Sequence, residues 1–395
     1  MIRLAIKMLI GNTTKFLGLV GGVTLTTFLT LHFQAIFAGV MTRTFALIQD
    51  IPQAQVWVMD PAVETIDETI GMESSAIDRV KSVDGVAWAS RLYLGQLRAR
   101  LPGGRFRGVT VIGVDDSTFI GVPNDAHDTA RDLLRRPDAV IADARTGALL
   151  LRPSAGRGWG IDILPSSSDV SRPLMVGDEL VINDSRVVVV GFTHIRPRFL
   201  AKGTLFTTYS RAVRLAPRER NLLSYVLVRC MPGERPEEVA RRIEASTRLR
   251  ARTDDEFAID TVRYIIRTTD IIGQVGLMTM IAMSVGIGVT GLLLYMFTND
   301  NIRYYAMLMA VGASRRTLLS MVIGQAAFAG AVGYGLGVGL SAVLGRLMSV
   351  INLPFRMLPI SLGVSAVMVL VVCVVASLLS VRGVFRIEPG IVFKG

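Results

Sequence analysis

Four stretches of the chain, residues 16–40, 271–297, 318–344 and 360–381, contain no Asp, Glu, Lys or Arg. About 20 apolar residues in a helix cross the roughly 30 Å of hydrocarbon in a bilayer, and each stretch is at least that long. One such run could be a buried core helix. Four in one chain, with 51% hydrophobic residues and a mean hydropathy of +0.47, cannot all be hidden in a soluble core of this size. The first run could also be a secretion signal, because Arg3, Lys7 and Lys15 precede it. Its apolar part is about 25 residues, longer than the roughly 7–15 of a signal core, so it reads as a retained anchor.

The basic residues near the ends of the runs set the expected orientation. Arg3, Lys7 and Lys15 precede the first run. Arg303, Arg315 and Arg316 lie between the second and third, and Arg382, Arg386 and Lys394 follow the fourth, with only Asp300 and Glu388 as acids. Four spans put these three segments on one side, and a Lys/Arg excess marks the cytoplasmic side. Both termini are therefore expected in the cytoplasm, in an inner membrane, with residues 41–270 outside. The expected layout is a cytoplasmic N-terminus with the first span (1–40), an outer domain (41–270) and the second span (271–298). A cytoplasmic segment (299–317), the third span (318–345), a short outer loop (346–359), the fourth span (360–381) and a tail (382–395) follow.

Much of the net charge of +11 sits in these flanks, while the outer segment is nearly balanced. The basic balance thus points to anionic inner lipid, not to nucleic acid, and no nucleic-acid-binding motif is present. Cys230 and Cys373 are too few for a disulfide framework, and His32, His127 and His194 are too scattered for a metal site.

The outer segment alternates strand and helix signals. Strands are predicted at 55–59, 87–101, 106–114, 177–182, 186–192 and 224–230. Helices are predicted at 74–82 and 236–247. Hairpin turns are predicted at Pro102-Gly103-Gly104 and Asn183-Asp184-Ser185. The fold class is therefore an α-helical membrane protein with four transmembrane helices and an α+β domain inserted between helices 1 and 2. Composition marks 116–200, and within it the Gly-, Pro-, Ser- and Arg-rich part 116–174, as a candidate inserted lobe. Arg196, Arg198 and Lys202 form a basic cluster around Pro197 that suits either a partner or a plain loop.

No serine-hydrolase, zinc-protease or Cys-His pattern occurs, so no catalytic residue is assigned. A P-loop is also lacking, including at 156–160, so ATP and its magnesium would be bound by a separate subunit. The spans hold no ionisable residue that would mark an ion path, His32 apart. Gly333/Gly337 and Gly335/Gly339 in the third run, and Gly18/Gly22 in the first, have the four-residue spacing that lets helix backbones approach closely.

Residues 299–326 read NDNIRYYAMLMAVGASRRTLLSMVIGQA: a short amphipathic helix over 302–310, a break at Gly312-Ala313, and a new helix capped by Ser314. This stretch resembles the signature of ABC permeases of the MacB/FtsX superfamily, in which the equivalent segment lies on the ATPase subunit. The match runs through Met309, Val311, Gly312, Ala313, Ser314, Arg315 and Arg316, and Tyr305 is grouped with them. The acidic residue common before this segment is replaced here by Tyr304-Tyr305. The order of one span, a large outer domain and three spans is the superfamily's. So are the Gly113–Asp115 segment and the Pro389 to Phe393 ending. The openings at Val56 to Pro61 and Gly85 to Ala89 look most like the DevC branch, which has no fused ATPase.

The resemblance implies a MacB-like periplasmic core and a homodimer. Its implied partners are a DevA-like ATPase, a DevB-like membrane-fusion protein, a TolC-like outer-membrane channel and membrane lipid. It implies export driven mechanically from the 299–317 segment. A regulator of FtsX type, which signals to an outer hydrolase without transport, is the alternative. A stand-alone receptor is disfavoured because the cytoplasmic ends are too short for a signalling domain.

Overall fold

The computed structural model describes residues 2–101, 104–123, 132–145, 173–199, 202–217, 223–351 and 353–384. The C-terminal pattern at 387–393, the Gly-rich stretch 156–160, Pro102-Gly103 and the middle of the candidate lobe lie outside them. In chain order the elements begin with α1 (Ile2–Gly11), α2 (Thr13–Thr44), α3 (Ala46–Asp50), β1 (Val56–Met59), α4 (Ala76–Lys81), β2 (Val86–Arg100) and β3 (Phe106–Val114). Then come β4 (Ala139–Asp143), β5 (Glu179–Ile182), β6 (Ser185–Thr193), β7 (Gly203–Thr208), α5 (Tyr209–Leu215), β8 (Tyr225–Cys230), α6 (Pro236–Thr247) and β9 (Arg250–Thr253). The last are α7 (Asp254–Thr268), α8 (Ile271–Asp300), α9 (Ile302–Ala310), α10 (Arg315–Val350) and α11 (Pro359–Val384).

Among the described residues four helices are long and apolar enough to cross a membrane: α2, α8, α10 and α11. They belong to one unit, Met1–Val40 with Thr269–Gly395, and the second unit is Met41–Thr268. Within the first unit, α10 packs on α2 through glycine. A Cβ on Gly333 would stand 2.8 Å from Val23 Cβ, and one on Gly337 would stand 2.6 Å from Thr27 Cβ and 2.8 Å from the Thr24 carbonyl. Gly22 and Gly286 do the same between α2 and α8, against Val289 and Thr26. Among the described residues nothing lies within 4 Å of where a Cβ on Gly335 or Gly339 would stand. They sit two residues from the packed pair, which turns them to another side of the helix.

The second unit is a β-α-β-β-α-β fold with a barrel inserted in its middle. Strands β9, β1, β8 and the first half of β2 form an antiparallel sheet in that order. Helices α4 and α6 cover one face, with Ile77, Val80, Val239 and Ile243 against Val56, Val58, Val226 and Val228. The other face carries Trp57, Met59, Tyr225 and Leu227, covered by α3 and by Phe257 of α7. Both faces are buried, which is why β1 reads Val-Trp-Val-Met with no polar alternation.

The second half of β2 leaves this sheet and enters the barrel. Tyr93–Arg100 pair with β3, β3 runs parallel to β7, and β7 pairs with β4. Then β4 runs parallel to β6, β6 pairs with β5, and β5 returns to Ala99 and Arg100 of β2, closing six strands into a ring. The β5–β6 hairpin turns on Asn183 and Asp184, both with positive φ, a two-residue turn matched to strand twist. Ser185, expected in the turn, already pairs with Ile182.

The boundaries of the candidate lobe need correction. The segment 116–200 is not separate from its surroundings: Ala139–Asp143 is a fully buried strand between β6 and β7, and the insertion runs from Tyr93 of β2 to α5. The predicted strands and both predicted helices are present with ends shifted by a residue or two. Strands β4, β7 and β9 and helices α1, α3, α5 and α7 have no counterpart in the sequence reading.

Candidate functional site

The segment between α8 and α10 is built as a helix stop and a helix start. Asn301 ends α8, its Nδ2 donating to the Phe297 carbonyl at 2.8 Å, and its own carbonyl accepts from Tyr304 and Tyr305 at the head of α9. At the far end of α9 the Gly312 amide donates to the Met309 carbonyl and the Ala313 amide to the Leu308 carbonyl, both at 2.9 Å. With Gly312 at φ +102°, this is a Schellman cap. Nothing lies within 4 Å of where a Cβ on Gly312 would be, so the backbone conformation, not space, demands glycine. Ser314 is extended (φ −75°, ψ 156°), and its Oγ accepts from the Thr317 amide at 3.3 Å, which caps α10.

This geometry sorts the residues singled out from the sequence. Val311 stands at the turn with 88% of its surface exposed, and Gly312, Ser314, Arg315 and Arg316 are exposed beside it. Met309 and Ala313 are half-buried. Tyr305 points the other way. It is fully buried, and its hydroxyl donates to Gln325 Oε1 at 3.2 Å, while Gln325 Nε2 donates to the Ala5 carbonyl of α1 at 2.9 Å. Tyr305 therefore belongs to the support of the segment and not to its surface; the exposed ring of the pair is Tyr304. Burial pushes the Tyr305 hydroxyl above its usual pKa, opposed by the bond to Gln325.

Three elements thus meet on one buried amide: α1, α9 and α10. Gln325 was missed, although a lone amide in an otherwise apolar run is the signal that could have found it. Ala5 and Leu9 of α1 are buried in the same cluster as Tyr305, Leu318 and Met321. Lys15 at the start of α2 pairs with Asp300 at the end of α8. From residue 301 to 387 the sequence contains no acid, so the face formed by Tyr304, Met307 and Val311, bordered by Arg303, Arg315 and Arg316, is apolar with a positive rim.

In the other unit the basic cluster around Pro197 disperses. Arg196 pairs with Asp50 at 3.3 Å, and Lys202 bonds Gln96. Arg198 is buried, and burial lowers its pKa against the opposing charges of Asp67, Asp50 and Asp143. Burial likewise raises the pKa of Asp67 against the pull of Arg198 and Lys202. These three side chains do not make one surface.

Residues 276–389 match the family described as FtsX-like permease C-terminal. No curated protein matches the chain. Among solved structures, the extracellular domain of the noncanonic ABC-type transporter YknZ from Gram-positive bacteria is similar at 15% identity over 51% of this chain and 98% of its own, with a TM-score of 0.32. The periplasmic region of MacB from Actinobacillus actinomycetemcomitans is similar at 8% identity over 56% of this chain and 96% of its own, with a TM-score of 0.35. A domain of a putative permease from Porphyromonas gingivalis is similar at 15% identity over 52% and 90%, with a TM-score of 0.30. The residues that resemble the FtsX-like permease C-terminal family take in α9, the Gly312 turn, most of α8 and all of α10 and α11.

Proposed function

We propose that this chain is the membrane subunit of an ATP-driven ABC-type export complex of the MacB/DevC kind, with the 299–317 segment as the surface on which a separate ATPase acts. The observation that carries this reading is the exposed apolar turn at Val311, held by a Schellman cap and a serine cap and bordered by arginines. A turn of this kind, fixed from both sides and joined through Tyr305 and Gln325 to α1 and α10, can pass a push into the helices without bending. In the full reading, two copies of the chain bind two DevA-like ATPases, which hold ATP and magnesium. The outer unit then meets a DevB-like fusion protein that leads to a TolC-like channel. The protein lies in the inner membrane with both termini in the cytoplasm.

The test is co-purification of the ATPase with the full chain and with Val311→Asp. The expected result is loss of most bound ATPase and of stimulated ATP turnover in the variant, because a charge is buried in an apolar contact. Undiminished stimulation by a correctly inserted V311D protein overturns the reading. The FtsX-like regulator uses the same segment. Loss of extracellular cargo in a deletion strain supports export; unchanged cargo with a loss of outer hydrolase activity supports regulation.

A further inference from the structure

We propose that a groove on the outer wall of the barrel binds an anionic amphiphile, an acyl chain bearing a carboxylate or phosphate head. The groove has a volume of about 630 Å³, within the range of small-molecule sites. Its wall follows from the strand register. Gln96, Arg98 and Arg100 alternate with buried Leu97 and Ala99 and so share the outward face of β2. Arg100 is paired across the ladder with Phe106 on one side and Val181 on the other, and Arg98 is paired with Gly108. Gly108 has nothing within 4 Å of its missing Cβ, so the floor beside Arg98 is open. Phe106 is 66% exposed, which sets an apolar ring in water beside the two arginines.

The charges are one-sided. Arg98, Arg100 and Lys202 line the groove, against the single carboxylate of Asp184. Among the described residues neither Arg98 nor Arg100 forms an ion pair, whereas Arg186 on the neighbouring hairpin is paired with Glu179. Two guanidinium groups beside an exposed ring and an open apolar floor fit an anionic head with its chain attached. They do not fit a neutral chain, which would leave the cations unused, or a bare anion, which would leave Phe106 in water. The inference names a cargo class for the proposed exporter and rests on that reading for its use. Binding is measured without the ATPase, so the two fail separately.

The experiment uses the full chain in phosphatidylcholine nanodiscs and decyl phosphate carrying a diazirine at the end of its chain. After irradiation, adducts are mapped by mass spectrometry. The expected adducts fall on 96–109 and 181–184. They are suppressed by unlabelled decyl phosphate and by decanoate, but not by decyl maltoside, inorganic phosphate or a polyglutamate peptide. Arg98→Gln with Arg100→Gln lowers labelling there about tenfold, as expected for the loss of two charge-assisted contacts. Lys202→Gln, at a side chain bonded to the exposed Gln96, carries the same expectation in smaller degree if the double variant does not fold. Adducts confined to the apolar helices, equal labelling in both variants, or equal suppression by decyl maltoside overturn the proposal. Suppression by polyglutamate also overturns it and assigns the groove to an acidic protein partner.

Discussion

Gly312 is the point at which the proposed coupling can be broken without touching a contact surface. Its φ of +102° lies in the region that L side chains avoid, and an added Cβ meets no neighbour within 4 Å. A substitution there acts through the backbone alone. An L residue held at positive φ costs roughly 1–2 kcal/mol, and a β-branched one falls at or above the top of that range. If the chain relaxes to negative φ instead, the two 2.9 Å capping bonds to Met309 and Leu308 are lost, each worth about 1 kcal/mol net. The cheaper route is then about 1–2 kcal/mol for Gly312→Ala, through strain at positive φ, and about 2 kcal/mol for Gly312→Val, where the two routes meet; both are small against the stability of the whole chain. The second route also re-aims α9 against α10. The assay compares ATP turnover of the ATPase co-purified with each variant, normalised to correctly inserted protein, beside thermal unfolding. Stimulation is expected to fall stepwise from Gly to Ala to Val. Arg315→Glu with Arg316→Glu should lose stimulation, since both side chains are exposed and reversing charges at an interface can cost several kcal/mol. If G312V is strained by thermal unfolding yet stimulates the ATPase normally, the Schellman turn does not transmit force. If the double Glu variant also stimulates normally, the arginines serve only lipid anchoring and topology.

Tyr305→Phe, which leaves Gln325 Oε1 without its donor, should lower stability by about 1 kcal/mol, and Gln325→Leu by about 1–3 kcal/mol because it leaves the buried Tyr305 hydroxyl without its acceptor; thermal unfolding in a mild detergent reads both. Gly337→Ala should destabilise by about 1–3 kcal/mol, since its Cβ would overlap Thr27, while Gly335→Ala with Gly339→Ala should leave the unfolding temperature of the monomer unchanged. A change of mass in detergent for the second pair alone would place those glycines between copies of the chain. Asp115 is pulled by burial toward a higher pKa, but bonds from Ser117 and Thr118 outweigh this and hold it below the usual carboxylate value. A lowered folded pKa contributes stability that is present above the unfolded value of about 3.9 and is lost as pH falls through the folded one. Asp115→Ala should therefore cost about 1 kcal/mol at pH 7, in the range of a lost side-chain cap, and the difference from the unmodified chain should close in acid; unfolding at pH 7 and pH 3 checks it.

The parts of this molecule that were legible from sequence are those fixed by neighbours along the chain. Uncharged length locates α2, α8, α10 and α11, and the Gly312-Ala313-Ser314 break gives both ends of the 302–317 turn, because caps depend on residues within one turn of them. The direction of Tyr305 was not legible. Tyr304 and Tyr305 are adjacent and chemically equal, and only the packing of α1 and α10 against one side of α9 decides which is buried. The Gly333/Gly337 and Gly335/Gly339 pairs pose the same problem: identical spacing, but only the first pair meets another helix.

The barrel was hidden for a related reason. The stretch from 87 to 101 was read as one strand, and β2 is indeed continuous, but it serves two sheets. Val86 and the residues from Trp88 to Leu92 pair with β8, and the remainder pair with β3 and, at Ala99 and Arg100, with β5. The strand stays extended through the change of partners: Leu92, Tyr93 and Leu94 are buried in a run there, and strict alternation of exposed and buried residues begins only at Gln96, so no turn or break marks where one sheet hands over to the other. The handover follows from chain distance. Strand β8 returns only after the whole insertion, whereas β3 follows within a few residues across a tight turn, and the entropic cost of closing the longer connection is met only once both faces of β1 and β8 are covered. The same long strand also carries Arg98 and Arg100 out of the four-stranded sheet to the barrel wall. There, Phe106 and Val181 from the two flanking strands complete a groove that no continuous segment of the sequence contains.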